Sequence, residues 1–153
     1  MEVSQTSQPV YNSRFQHGLD EKRRLQIPSC WRPEVEGTAF TVVLWPKHKA
    51  GPCLRVMPPE QMAKLMAELD AMPNTDPKKV VLKRFIGSES VQLPLDKAGR
   101  ICLPEELVRK AGIAGEVVLV GLLDRFEIWP PSRYEQVKAA DAEVAAQAFE
   151  LME

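Results

Sequence analysis

The sequence predicts an α+β protein in which two pseudo-symmetric halves interlock into one small β-barrel core with flanking helices. The first observation behind this is a repeat. Leu19-Asp20-Glu21-Lys22-Arg23-Arg24-Leu25-Gln26-Ile27-Pro28 returns as Leu95-Asp96-Lys97-Ala98-Gly99-Arg100-Ile101-Cys102-Leu103-Pro104, with Leu, Asp, Arg and Pro in one register at an offset of 76 residues. The second is that the likeness continues downstream. Val42-Val43-Leu44 matches Val118-Leu119-Val120 at the same offset, and Val56-Met57-Pro58-Pro59 matches Ile128-Trp129-Pro130-Pro131 after a four-residue deletion. The third is size: halves of about 45 core residues bury too little surface to stand alone, so they must share a core.

Each half reads as hairpin, short helix, strand, strand, helix. Residues 1–10 lack periodicity and are expected to be disordered. In Tyr11–Leu19, Phe15, His17 and Leu19 alternate as in a half-buried strand. After the polar break Asp20–Arg23, Leu25-Gln26-Ile27 resumes the alternation, which predicts a β-hairpin ended by Pro28. Ser29–Arg32 has room for one helical turn before Pro33, and Gly37 closes that segment. Thr38–Trp45, rich in β-branched and aromatic residues, predicts a buried strand, and Cys53–Met57 another. Pro59 suits the first position of a helix whose Met62, Leu65, Met66 and Leu69 make one apolar stripe, with Lys64 and Glu68 outward.

Asp76-Pro77 has the chemistry of an N-cap and first turn, starting a second helix that reaches Ile86, with Gly87 as its stop. Val91, Leu93 and Leu95 alternate into the second polar turn. Glu105–Ala111 predicts a short helix, acidic early and basic late (Arg109-Lys110), stopped by Gly112. Glu116–Gly121 and Phe126–Trp129 are expected to pair about Leu123-Asp124-Arg125. Ser132 and Glu135 then have capping-box spacing for a last helix. The domain reading is a disordered 1–10, a first repeat over 11–70, a linker helix over 71–88, a second repeat over 89–135 and a C-terminal helix over 136–153.

Composition excludes several classes. The longest apolar runs, such as Val117–Val120, are far too short to cross a bilayer, and the polar Met1–Val10 has no signal-peptide pattern. A cytoplasmic protein with no membrane association is expected. Cys30, Cys53 and Cys102 form no CxxC pair, which argues against disulfides and structural zinc; they are expected to be buried as small apolar groups. No cofactor is expected. The histidines (His17, His48) lie in unrelated contexts, and neither a nucleophile–base set, a paired-carboxylate cleft nor a phosphate-binding glycine loop is present, so no enzyme is expected.

The net charge of −1 points to no partner, but its distribution does. Residues 11–32 carry a balance of +3 and residues 78–110 a balance of +4, while the tail after Ser132 is acidic. Positive charge is gathered around the two repeated turns, as in a localised anion-binding surface.

In Asp-x-x-x-Arg the carboxylate can accept backbone N–H groups as an Asx-type turn, and can pair with the arginine across the reversal. A guanidinium held that way loses less entropy on meeting a phosphate or a guanine edge. A surface pair of this kind contributes little stability, so one turn alone favours the plainer reading of a stapled loop. Two copies, each in a basic region, favour paired contact heads related by a pseudo-dyad, an arrangement suited to double-stranded DNA.

The pattern hydrophobic-Asp-x-x-Gly-Arg-hydrophobic-x-hydrophobic-Pro, present twice, resembles the MraZ proteins of bacteria, which are tandem members of the SpoVT-AbrB swapped-hairpin DNA-binding fold. The likeness runs from Tyr11 to Glu135 and includes Val118-Leu119-Val120-Gly121 and Arg125-Phe126-Glu127-Ile128-Trp129. It implies a sequence-specific transcriptional regulator of the division and cell-wall gene cluster, nucleoid-associated, binding short direct repeats and assembling as a homo-oligomeric ring. It also implies DNA contact through Asp20, Arg24, Asp96 and Arg100. The superfamily's basic contacts after the motif proline correspond to Arg32 and Arg109, which with Lys22, Arg23 and Lys97 would lie on the DNA backbone.

The first copy departs from the pattern, with Arg23 where the second has Gly99. A non-glycine residue is disfavoured at positive φ, so the first loop is expected either to adopt another turn or to use Arg23 as an extra phosphate contact. Pro33 shortens the first helix relative to its counterpart near Arg109. The competing reading is an AbrB-fold protein-interaction module, an antitoxin-like partner binder docking through the acidic helix Ala139–Glu153.

Overall fold

The computed structural model describes residues 9–152; most of the stretch expected to be disordered, residues 1–8, lies outside them. The elements are β1 (Arg14–Gly18), β2 (Arg24–Gln26), a 3-10 turn (Ser29–Trp31), β3 (Ala39–Trp45), β4 (Cys53–Met57), α1 (Pro59–Ala71), α2 (Pro77–Ser88), β5 (Ser90–Pro94), β6 (Arg100–Cys102), α3 (Glu105–Lys110), β7 (Glu116–Gly121), β8 (Phe126–Trp129) and α4 (Pro131–Phe149). The fold is α+β. Pro58, Pro104 and Pro130 each precede a helix, and Pro59, Pro77 and Pro131 occupy first turns, where no N–H is missed.

Six strands form one antiparallel sheet in the order β1-β7-β8-β4-β3-β5, and β2 with β6 forms a separate ribbon. Exchanging the two halves turns this order into its own reverse. Equivalent residues also face each other: Leu25 lies opposite Ile101 in the ribbon, and Arg55 opposite Glu127 at the centre of the sheet. Those two pairs mark a pseudo-two-fold axis.

Two expectations need correction. The strands flanking each polar turn are not hairpins, because β1 pairs with β7 from Arg14↔Val120 to Gly18↔Glu116, while β5 pairs with β3. Alternation reports which face of a strand is buried and says nothing of which strand lies alongside. The sheet is also not a closed barrel. β1 and β5 remain its two edges, and the ribbon covers its inner face instead. Pro28 and Pro104 stop β2 and β6 shortly after three residues, before either can extend along an edge.

The ribbon and the inner face enclose the main core. Leu25, Ile27, Ile101 and Leu103 are fully buried against Phe40, Leu54, Leu119 and Ile128. An aromatic group reinforces one side, with Trp31 and Phe126 ring centroids 4.8 Å apart and Tyr11 5.6 Å from Phe126. The outer face of the sheet takes the helices: Val43 and Met57 pack with Leu69 of α1 and Ile86 of α2, and Cys53 and Trp129 with Val137 of α4.

Smaller differences have local causes. Met66 is exposed, because the packed side of α1 is made by Met62, Leu65 and Leu69, of which only Leu69 is buried. α2 runs through Gly87 to Ser88, where the N–H of Glu89 still bonds the Phe85 carbonyl. α4 starts at Pro131, one residue ahead of Ser132, so no capping box forms. Cys30 and Cys102 are exposed and only Cys53 is buried, since the first two face away from the core. The N-cap expected at Asp76 is present, its carboxylate accepting the Lys78 N–H at 2.9 Å.

Candidate nucleic-acid interface

The two repeated turns are built alike. In the first, one carboxylate oxygen of Asp20 accepts the N–H groups of Lys22 (2.9 Å) and Arg24 (2.8 Å), and the other accepts Nε of Arg24 (2.6 Å). In the second, Asp96 accepts the N–H groups of Ala98 and Arg100 and Nε of Arg100, each at 2.9 Å. The backbone closes both in the same way: Asp20 N–H to Arg24 carbonyl and Arg23 N–H to Asp20 carbonyl, matched by Asp96 with Arg100 and Gly99 with Asp96. Both carboxyls are held below the usual carboxylate range, first by the backbone N–H of the motif arginine and then by its guanidinium.

Arg23 and Gly99 both adopt positive φ, +60° and +81°. The expected alternative turn in the first loop is therefore not formed. Arg23 keeps the left-handed geometry despite its Cβ, and its Nε donates to the carbonyl of Leu103 at 3.0 Å, across the pseudo-dyad.

The ribbon places the motif arginines. Leu25 and Ile101 point inward, so by alternation Arg24, Gln26, Arg100 and Cys102 share its outer face, with Arg24 beside Cys102 and Gln26 beside Arg100. Gln26 and Cys102 are residues that sequence reasoning missed. Gln26 donates from its amide to the Ala98 carbonyl (2.8 Å), and the Cys102 thiol to the Lys22 carbonyl (3.3 Å). Each thus ties down the tip of the opposite turn. Their signal was available: each sits two residues after a motif arginine, on the same face of a strand.

Lys22 and Lys97 are exposed at the tips. Arg32 lies against the second turn, donating Nε to the Ile27 carbonyl at 3.0 Å, and a Cβ at Gly99 would overlap its guanidinium. Arg32, Lys97 and Gly99 line a groove of about 280 Å³, together with Glu34 and Glu36. Arg109 stands apart. It is largely exposed on α3, its ion pair is with Glu106 on the same helix, and no hydrogen bond among the described residues ties it to either turn. Asp20, Lys22, Arg23, Arg24, Arg32, Asp96, Lys97 and Arg100 are thus gathered around one ribbon, with Arg109 outside that network.

Among the described residues no group of three metal-ligating side chains comes together, and no helix is long and apolar enough to cross a membrane. The surface instead offers pre-oriented guanidinium groups on a rigid two-stranded frame, which can pair with phosphates or read acceptor edges of bases.

Comparison with known proteins places the chain among its relatives. The family profile described as "MraZ protein, putative antitoxin-like" matches residues 86–152, the second half of the chain. A protein of Lactiplantibacillus plantarum named "Transcriptional regulator MraZ" is 34% identical over 133 residues, covering 87% of this chain and 91% of that protein. One of the same name from Leuconostoc citreum is 34% identical over 88% of this chain and 90% of its own, and one from Caulobacter vibrioides 30% identical over 92% and 89%. These names denote regulators, a non-enzymatic family, in keeping with the expectation that this chain is no enzyme. With such similarity along nearly its whole length, the chain belongs to the MraZ family.

Proposed function

We propose that this chain is a sequence-specific DNA-binding transcriptional regulator whose two Asp-x-x-x-Arg turns contact double-stranded DNA. The observation that carries the reading is the identical hydrogen-bonding of the two turns, which fixes Arg24 and Arg100 at symmetric positions on one exposed ribbon face. Arg24 and Arg100 reach base edges, Asp20 and Asp96 orient them, and Lys22, Arg23, Lys97 and Arg32 lie on the phosphate backbone. Arg109 contributes only if the DNA extends past the ribbon to α3.

The two halves, residues 11–70 and 89–135, act as swapped-hairpin repeats of the SpoVT-AbrB kind, joined through 71–88 and followed by the helix from 136. The strand exchange supports this: each half supplies an edge strand to the other's part of the sheet. Several subunits in a homo-oligomeric ring would align heads along short direct repeats upstream of the division and cell-wall genes, turning weak contacts into avidity. The protein then works in the cytoplasm, on the nucleoid.

Selection of bound sequences from random duplex DNA tests the reading, with short, regularly spaced direct repeats as the expected outcome. Arg24→Ala with Arg100→Ala should abolish retention of a selected duplex in a gel-shift titration; unchanged binding would remove these residues as reading heads. A second reading is favoured by α4, where Val144 and Phe149 are exposed: an antitoxin-like module that docks a protein through this helix. Absence of any enriched sequence would favour it.

A further inference from the structure

We propose that Arg23 and Arg32 are one DNA-contacting element delivered from two non-equivalent sequence positions, each seating a guanidinium beside one turn with its terminal nitrogens available to a DNA phosphate. This rests on the DNA-binding reading above and deepens it. Ile27 and Leu103 are the same position of the repeat, the residue before the motif proline. Each donates its N–H to the opposite turn, Ile27 to the Gly99 carbonyl and Leu103 to the Arg23 carbonyl, both at 2.9 Å. Each also accepts an arginine Nε on its own carbonyl at 3.0 Å, Ile27 from Arg32 and Leu103 from Arg23. The two guanidinium groups therefore occupy pseudo-symmetric seats.

They arrive by different routes. Arg32 comes from the segment after the proline and crosses to the second turn, where Gly99 leaves the room that a Cβ would fill. At the 76-residue offset its counterpart is Val108, whose side chain has no donor, and there the turn residue Arg23 fills the seat itself. Glycine in the turn and arginine after the proline are thus exchanged between the copies. Positive φ does not account for the exchange, since residues 23 and 99 share it. Neither arginine has an acidic partner among the ion pairs of the described residues, and each is bonded through Nε, leaving its terminal nitrogens for an anion. Glu34 and Glu36 lie in the groove beside Arg32, so the two seats differ in surrounding charge even where the guanidinium positions match.

The experiment measures affinity of the full chain for a random-sequence DNA duplex across a salt series. Arg23→Gly relieves backbone strain, so it should keep its thermal stability yet lower the slope of log affinity against log salt by about 0.9 for each phosphate no longer neutralised. Arg32→Val should lower the slope in the same way, with some loss of thermal stability because its bond to the Ile27 carbonyl goes with no strain relieved in return. Two swaps should restore the slope: Arg23→Gly with Val108→Arg, and Arg32→Val with Gly99→Arg. Restoration by either swap in a folded variant supports the equivalence. Single variants with the parent slope, or folded swaps neither of which restores it, overturn it while leaving the DNA reading intact. A parent chain that binds no duplex at low salt overturns both.

Discussion

Truncating the pair on the pseudo-dyad tests the strand-exchanged ribbon most directly. Leu25 and Ile101 are cross-strand partners, fully buried, and 76 positions apart in the chain. Replacing either by alanine removes buried methyl groups and leaves a cavity that a ribbon pinned by two turns cannot collapse into, so each change should cost about 2–5 kcal/mol. For a domain of this size that lowers the melting temperature by about 5–15 °C. The double variant is the informative one. The second truncation removes packing that the first has already emptied, so the combined cost should fall short of the sum by about 0.5–3 kcal/mol. Urea titrations of the four proteins give this coupling at equilibrium, with the slope confirming that the unfolded states are comparable. If the two turns closed independent hairpins, these residues would be remote and their costs would add to within about 0.5 kcal/mol. Additivity would refute the pairing of β2 with β6.

Other outcomes follow from the turns and the thiols. Gly99→Ala should destabilise the protein by about 1–3 kcal/mol, since its Cβ at positive φ also displaces the Arg32 guanidinium, and calorimetry of this single variant reads it. Asp20 and Asp96 have depressed folded-state pKa values, so their stabilisation is present above the unfolded carboxylate range and is lost as pH falls through the folded values; loosening of the turns below about pH 4 should appear in carboxyl NMR titrations and be absent in Asp20→Asn with Asp96→Asn. A thiol reagent should label Cys30 and Cys102 in the native protein but not Cys53, whose burial pushes its thiol far above the ordinary range. A bulky adduct on Cys102 should weaken DNA retention, because it stands beside Arg24 on the ribbon face.

Local chemistry was legible, and so was the pairing of β7 with β8 about Leu123-Asp124-Arg125, but the partners of the strands that flank the polar turns were not. The four strands β3, β4, β7 and β8 could be read from runs of β-branched and aromatic residues, because each is closed off by a proline, a glycine or a charged turn. The Asp–Arg turns were legible because donor and acceptor lie four residues apart, within reach of local rules. The partner of β1 was hidden: Phe15 and His17 alternate equally well beside a neighbouring strand or beside Leu119 and Val117. The open sheet was hidden for the same reason, since closure is decided by which strands pair, and the pairing leaves β1 and β5 as edges with β2 and β6 in a separate ribbon. Gln26 and Cys102 escaped because neither is basic, and their work is to hold the opposite turn.

The departure at Arg23 shows how a repeat can preserve a site while losing a residue match. An arginine at φ +60° carries a backbone cost of about 1–2 kcal/mol relative to glycine, and a hydrogen bond to a charged donor returns about 1.5–3 kcal/mol, so the first turn keeps its shape at little net cost. At residue 99 the same arginine would meet a seat already filled by Arg32. Glycine is therefore demanded in one copy by the neighbour that crosses to it, and released in the other because Val108 sends nothing across. What the two halves hold in common is a guanidinium beside each turn, bonded to the carbonyl that precedes the motif proline.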